Sequence, residues 1–195
     1  MEKQGQFILM NIQEFSDWLD QEPVERSVLL IQNHHTFQPS YKQFTGSNHF
    51  AMLEGMKAFH VNVRGFSDIA QNITVFPDGI IAICRPLEVA PAGIKGANAH
   101  GICIENIGDF DAGNDIMTNE HKASIIAVNA LLCKAFNLTP NTDTVVYHHW
   151  WDLKTGVKTY GTGCTKSCPG TGWFGGNTEE ACRLNFIPLI LNYQP

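Results

Sequence analysis

The chain carries little charge and no long apolar run. Only 16% of its 195 residues are charged, and acids outnumber bases by 19 to 13, a formal net charge of −6. That balance argues against a nucleic-acid partner, which calls for a basic surface. No stretch approaches the roughly 18–20 apolar residues of a membrane span. The opening residues, MEKQGQFILMNIQEFSDW, lack the sustained apolar core of a signal peptide. Synthesis in the cytoplasm without a signal peptide is therefore expected. There is no internal repeat, no low-complexity linker and no visible wall-binding repeat or second domain. There is also no Cys-x-x-Cys pair among the six cysteines, Cys84, Cys103, Cys133, Cys164, Cys168 and Cys182. Without a secretion signal, a disulfide framework is not expected at this length. Cys84, Cys103 and Cys133 lie in apolar runs and are expected as buried free thiols.

What is present suits one compact domain: 44% of the residues are hydrophobic. Residues 1–26 read as an N-terminal helical extension, with Asn11 capping a helix over IQEFSDWLDQ. SVLLIQ (27–32) reads as a buried strand that ends at Asn33-His34-His35. A helix capped by Ser47 or Asn48 follows, with Phe50, Leu53 and Met56 on one face. ITVFPDGIIAICRP reads as a hairpin turning at Pro77-Asp78-Gly79. GICIENIG is a further strand. Thr118 caps the longest helix, whose Ile125, Val128, Leu132 and Phe136 recur at helical spacing. TDTVVYHH is another strand ending in a histidine pair. TEEACRLNFIPL closes the chain as a helix that Pro188 stops or bends. Strands alternating with helices predict an α/β fold with helices packed on a sheet.

Two histidine pairs, His34-His35 and His148-His149, thus sit at the ends of two separate strands. A third feature is TKSCPGTGWFGG (165–176), which holds Cys168 between a proline and glycine-rich turns, two residues after Lys166. Imidazole and thiolate are ligands that zinc prefers, and three protein ligands plus water make an open catalytic site. Neighbours on a strand point to opposite faces, so one histidine of each pair is expected to face such a site. A structural zinc site would need a fourth ligand, for which Cys164 is the candidate. His60 reads as structural and His100 as a possible groove contact. Thr155-Gly156 reads as the turn of a small flap beside the substrate groove.

The pieces HHT, GFSDIAQNITVFPDG, HGICIENIGDF and HHWW…TKSCPG occur in an order that resembles the zinc-dependent N-acetylmuramoyl-L-alanine amidases. This is the type-2 family that includes the peptidoglycan recognition proteins. The resemblance covers about residues 28–187. It implies a single domain with a central mixed β-sheet flanked by helices. It implies Zn2+ held by His34, His148 and Cys168, with His35 and His149 as alternates. It also implies Lys166 as the cation that stabilises the anionic tetrahedral intermediate. Where many relatives have tyrosine, this chain has Gln71, which can help hold the water but is no base near neutral pH. The base is therefore assigned to Glu105, two residues beyond the position (Cys103 here) where some bacterial members carry glutamate, and on the same face of a strand. The implied activity is hydrolysis of the amide between N-acetylmuramic acid and L-alanine of peptidoglycan or a soluble muropeptide. A binding module without turnover is the alternative. The expected place of action is the cell wall after release, or cytoplasmic muropeptides.

Overall fold

Three apolar runs paired in parallel organise the centre of the molecule. The structure, a computed structural model, describes residues 1–194. Strand β3 (Leu30–His35) lies between β6 (Gly101–Asn106) and β7 (Val145–Tyr147), parallel to both. Strand β4 (Ile73–Val75) pairs in parallel with β6 and antiparallel with β5 (Ile81–Ile83). The Pro77-Asp78-Gly79 turn joins the latter pair as expected, with Gly79 at φ 83°.

The first ten residues differ from expectation. They are not helical but form a hairpin, β1 (Glu2–Gln4) and β2 (Phe7–Met10), which turns at Gly5 (φ 57°) and joins the sheet through β5. The result is a mixed sheet of seven strands in the order β1-β2-β5-β4-β6-β3-β7. The side chains of FILM alternate between the two cores. Phe7 and Leu9 enter one, while Met10 enters the other with Ile8 packed against it. Four consecutive apolar residues have no visible period, so the sequence does not reveal this alternation.

Helices cover both faces. Helix α1 (Ile12–Leu19) begins with a capping box, in which Asn11 Oδ1 accepts from Glu14 N and Glu14 accepts from Asn11 N. It packs with α3 (Asn119–Ala135), which Thr118 caps through His121 N. Helix α2 (His49–Asn62) covers the opposite face with Met52, Leu53 and Met56, while Phe50 stays half-buried. Its preceding residue, Asn48, binds Thr45 N and Gln43 O instead of capping the helix. Behind the α3 face runs the C-terminal helix: α4 (Glu179–Ala181), a widened π turn (Cys182–Phe186) and α5 (Ile187–Leu191). Pro188 does not stop the helix, which runs on to Leu191; the departure from regular α geometry is the widened turn before it. Proline cannot donate to the preceding turn, and the widened turn falls directly before it.

One buried polar pair ties α3 to the central strand. Asn33 Nδ2 donates to Asn129 Oδ1 (2.8 Å), and Asn129 Nδ2 donates back to Asn33 Oδ1 (3.0 Å). Cys84, Cys103 and Cys133 are buried and free, as expected. Among the described residues, no helix is long and apolar enough to cross a membrane.

Candidate metal centre

Strand register brings the first functional side chains together. His34 pairs with Glu105, and Gln32 with Cys103. Partners in a parallel register share a face. His34, Glu105 and Cys103 therefore point to the α2 side of the sheet. There His34 and Glu105 meet a cavity of about 530 Å³ whose lining also includes His148, Lys166, Met56 and His60. Strand β3 runs through both histidines instead of ending before them. His35 consequently turns to the other face, where its Nδ1 accepts from Phe110 N at 3.0 Å.

The second histidine pair is placed differently from expectation. Strand β7 ends at Tyr147, and His148–Trp150 is one turn of 3-10 helix. That turn aims His148 at the first strand, so that His148 Nδ1 lies 3.0 Å from His34 Nδ1. His149 is directed to the loop after it. Its Nδ1 lies 2.7 Å from Lys166 O, and its N–H donates to Cys168 O at 2.7 Å. The alternates His35 and His149 thus brace backbone, while His34 and His148 meet each other.

Cys168 completes the group. One ligand atom from each of His34, His148 and Cys168 lies within 4.8 Å of the others, and all three residues are buried. The loop that carries Cys168 is anchored by Asp111, a residue without a signal in the sequence. Asp111 accepts from Thr171 N (2.9 Å) and from Ser167 Oγ (2.8 Å). Close packing also demands Gly170, at φ 124°: a Cβ there would lie 2.4 Å from Phe110 O.

The electrostatics are those of a buried, uncharged donor set. Burial drives the His34 imidazole well below its usual range, with His148 and Lys166 adding to the effect. Burial and Lys166 push His148 down to about 2. Both rings are therefore neutral, the form that binds a metal. Burial pushes the Cys168 thiol up to about 12 against the pull of Lys166. A bound cation would reverse that, since a coordinating thiol is deprotonated. Burial likewise pushes Glu105 up to about 8, again opposed by Lys166.

Donors on one tetrahedral zinc stand about 3.3–4 Å apart, given bonds of about 2.0–2.3 Å. The observed group, two nitrogens 3.0 Å apart and a sulfur within 4.8 Å, fits such an ion with small adjustments. Cys164 does not belong to it. It is exposed, and its N–H donates to Asp152 in a turn. The four-ligand structural arrangement is therefore not formed by these residues.

Three further expectations need correction. Gln71 does not line the cavity; it is fully buried, and its amide donates to Thr74 Oγ1 at 2.9 Å. It is spent in the core under α2 and is not placed to hold water. His100 is exposed, turned toward Ser27 O, and also outside the cavity. The turn at Gly156 (φ 73°) and the Trp151–Lys158 bridge do form a small hairpin, but it packs on Lys95-Gly96 and does not line the cavity. His60 accepts from Ala70 N, as a structural residue should, and also lines the cavity wall.

Comparison with known proteins agrees with this architecture. A family model described as N-acetylmuramoyl-L-alanine amidase matches residues 24–171. The chain belongs to that family. No curated protein matches it in sequence. Among solved structures, the endolysin amidase LysCS from Clostridium intestinale URNW is 22% identical, with a TM-score of 0.54 over 75% of this chain and 78% of that one. Drosophila PGRP-LB is 18% identical, with a TM-score of 0.62 over 84% of each chain. Peptidoglycan recognition protein-LE, solved with tracheal cytotoxin, is 22% identical, with a TM-score of 0.59 over 76% of this chain and 77% of that one. At these identities the likeness is one of fold.

Proposed function

We propose that the protein is a zinc hydrolase that cleaves the amide between N-acetylmuramic acid and L-alanine in peptidoglycan or muropeptides. The observation that carries this reading is the convergence of His34, His148 and Cys168, two of which, His34 and His148, line a cavity together with Glu105 and Lys166. When bound there, zinc supplies Lewis-acid activation of water and of the scissile carbonyl.

The chain's own residues do the rest. Glu105 takes a proton from the attacking water and passes it to the leaving amine; a carboxylate raised toward neutrality is suited to both steps. A cation beside it lowers its pKa and keeps it ionised as a base. The Lys166 ammonium faces the oxygen on which negative charge develops. His149 holds Lys166 through its carbonyl and Cys168 through its own N–H. The products are a glycan bearing a free lactyl carboxylate and a peptide with a free L-alanine amine. The substrate is reached on the wall after release, or as soluble muropeptide in the cytoplasm.

A second reading is capture of a muropeptide without turnover. It is favoured by the likeness to a recognition protein solved with tracheal cytotoxin. The two are separated by incubating the protein with purified wall and with soluble muropeptides, with and without a chelator. Release of L-alanine-terminated peptides that stops on chelation and returns with zinc is expected. Full-rate release from metal-stripped protein overturns the zinc mechanism, and binding without release favours capture.

A further inference from the structure

His34 belongs to two groups of potential ligands, and the metal centre described above draws on only one of them. Its Nδ1 is turned to His148. Its Nε2 is buried and has no hydrogen-bond partner, although His34 is only 3% exposed. An imidazole nitrogen left unpaired in the interior is costly, and a native structure normally gives it a partner. The second group is His34, Cys103 and Glu105, with one ligand atom of each within 4.8 Å of the others. Register explains it: Glu105 lies beside His34, and Cys103 is two residues earlier on the same face. Cys103 is fully buried, while Glu105 reaches the cavity and gives an entry path.

We propose that His34 Nε2, Cys103 Sγ and a Glu105 carboxylate oxygen form a second seat for a thiophilic divalent cation such as Zn2+ or Cd2+. One imidazole, one thiolate and one carboxylate are a donor set that zinc accepts. Binding displaces the thiol proton of Cys103 to solvent; the single N–H proton of His34 sits on Nδ1 when only the second seat is filled and leaves to solvent when both are, the ring then bridging the two ions as imidazolate. No oxidant is involved. An ion held there occupies the Glu105 oxygens that the proposed reaction needs as proton acceptor. The second seat is therefore inhibitory, and excess zinc slows the enzyme. Only this inhibition rests on the amidase reading; the second equivalent of metal does not.

The test is a Cd2+ titration of the full-length, reduced, metal-free protein in a Cys164→Ser background, which removes the exposed thiol. Thiolate-to-cadmium absorbance is followed, and bound metal is counted after dialysis. Two equivalents are expected, each adding the band of one thiolate. Cys168→Ser should keep the equivalent that carries the Cys103 band, and Cys103→Ser the one that carries the Cys168 band. Glu105→Gln serves where Cys103→Ser does not fold, and should lose the second equivalent and keep the first. Saturation at one equivalent, or a second equivalent that persists in both Cys103→Ser and Glu105→Gln, overturns the proposal. Peptide release under excess zinc should fall in the parent and hold in Cys103→Ser; equal sensitivity overturns the inhibitory role. Protein that releases no peptide at any zinc level, yet takes up cadmium in two steps, refutes the amidase reading and leaves the second seat standing.

Discussion

His34 and His148, 114 residues apart in the chain, face each other nitrogen to nitrogen at 3.0 Å. Both are buried and neutral. Two neutral imidazoles beside a buried cysteine are a donor set that suits a soft divalent cation. Replacing either histidine by alanine should abolish stoichiometric zinc binding and peptide release together, measured by metal analysis and by mass spectrometry of digested muropeptides.

Lys166 and Glu105 should separate chemistry from metal binding. Lys166→Met is expected to lower kcat by about 10²–10³, and Glu105→Gln by about 10²–10⁴. Both should keep the first equivalent of zinc. Metal content measured beside kcat decides the matter: a loss of zinc in Lys166→Met would make the lysine structural.

Asp111 should act through the Cys168 loop. Its carboxylate is held below its usual range by hydrogen bonds from Thr171 and Ser167 and by His35, which outweigh its burial. A carboxylate with a depressed pKa stabilises the fold above the unfolded value, roughly pH 4. That contribution is lost as pH falls through the lower, folded value. Thermal melts from pH 6 to 3 should show the parent losing more stability than Asp111→Asn. Asp111→Ala should weaken zinc binding by about 10–100-fold, as expected for a residue that orients a ligand.

Gly170 carries both a φ of 124° and a backbone contact, whereas at Gly113 (φ 92°) an added Cβ would meet nothing within 4 Å. Gly170→Ala should therefore cost more than the about 1–3 kcal/mol of backbone strain alone. Gly113→Ala should cost no more than that. Urea denaturation of the two variants compares them directly; equal losses would show that the Phe110 contact is readily relieved.

The Asn33–Asn129 pair should behave as a unit. Asn33→Leu or Asn129→Leu alone leaves a buried amide unpaired and is expected to cost about 1–3 kcal/mol. The double variant should be more stable than the sum of the single losses implies. Additive losses would show that the two amides do not depend on each other.

Local structure was legible at several places where one side chain decides it, though not at Asn48, which bonds Thr45 N and Gln43 O instead of capping its helix. Asn11 and Thr118 start their helices through hydrogen bonds that span three residues. Pro77-Asp78-Gly79 turns a hairpin whatever surrounds it. The N-terminal hairpin was not legible, because FILM joins the sheet by pairing with Ile81–Ile83, more than seventy residues later. Gln71 misled for a related reason. An amide near a site motif can face water or core, and Thr74 claimed it for the core.

The sequence by itself determined the donor chemistry: two histidine pairs, one cysteine in a rigid loop, and a lysine two residues before it. Their types and order are covalent facts. Which histidine of each pair faces inward was decided only by tertiary structure. Strand β3 continues through His35, so alternation sends His34 to one face and His35 to the other. A 3-10 turn, not a strand, aims His148. Asp111 reached the Cys168 loop from more than fifty residues away. Such placements rest on long-range packing, and no local pattern of residues encodes them.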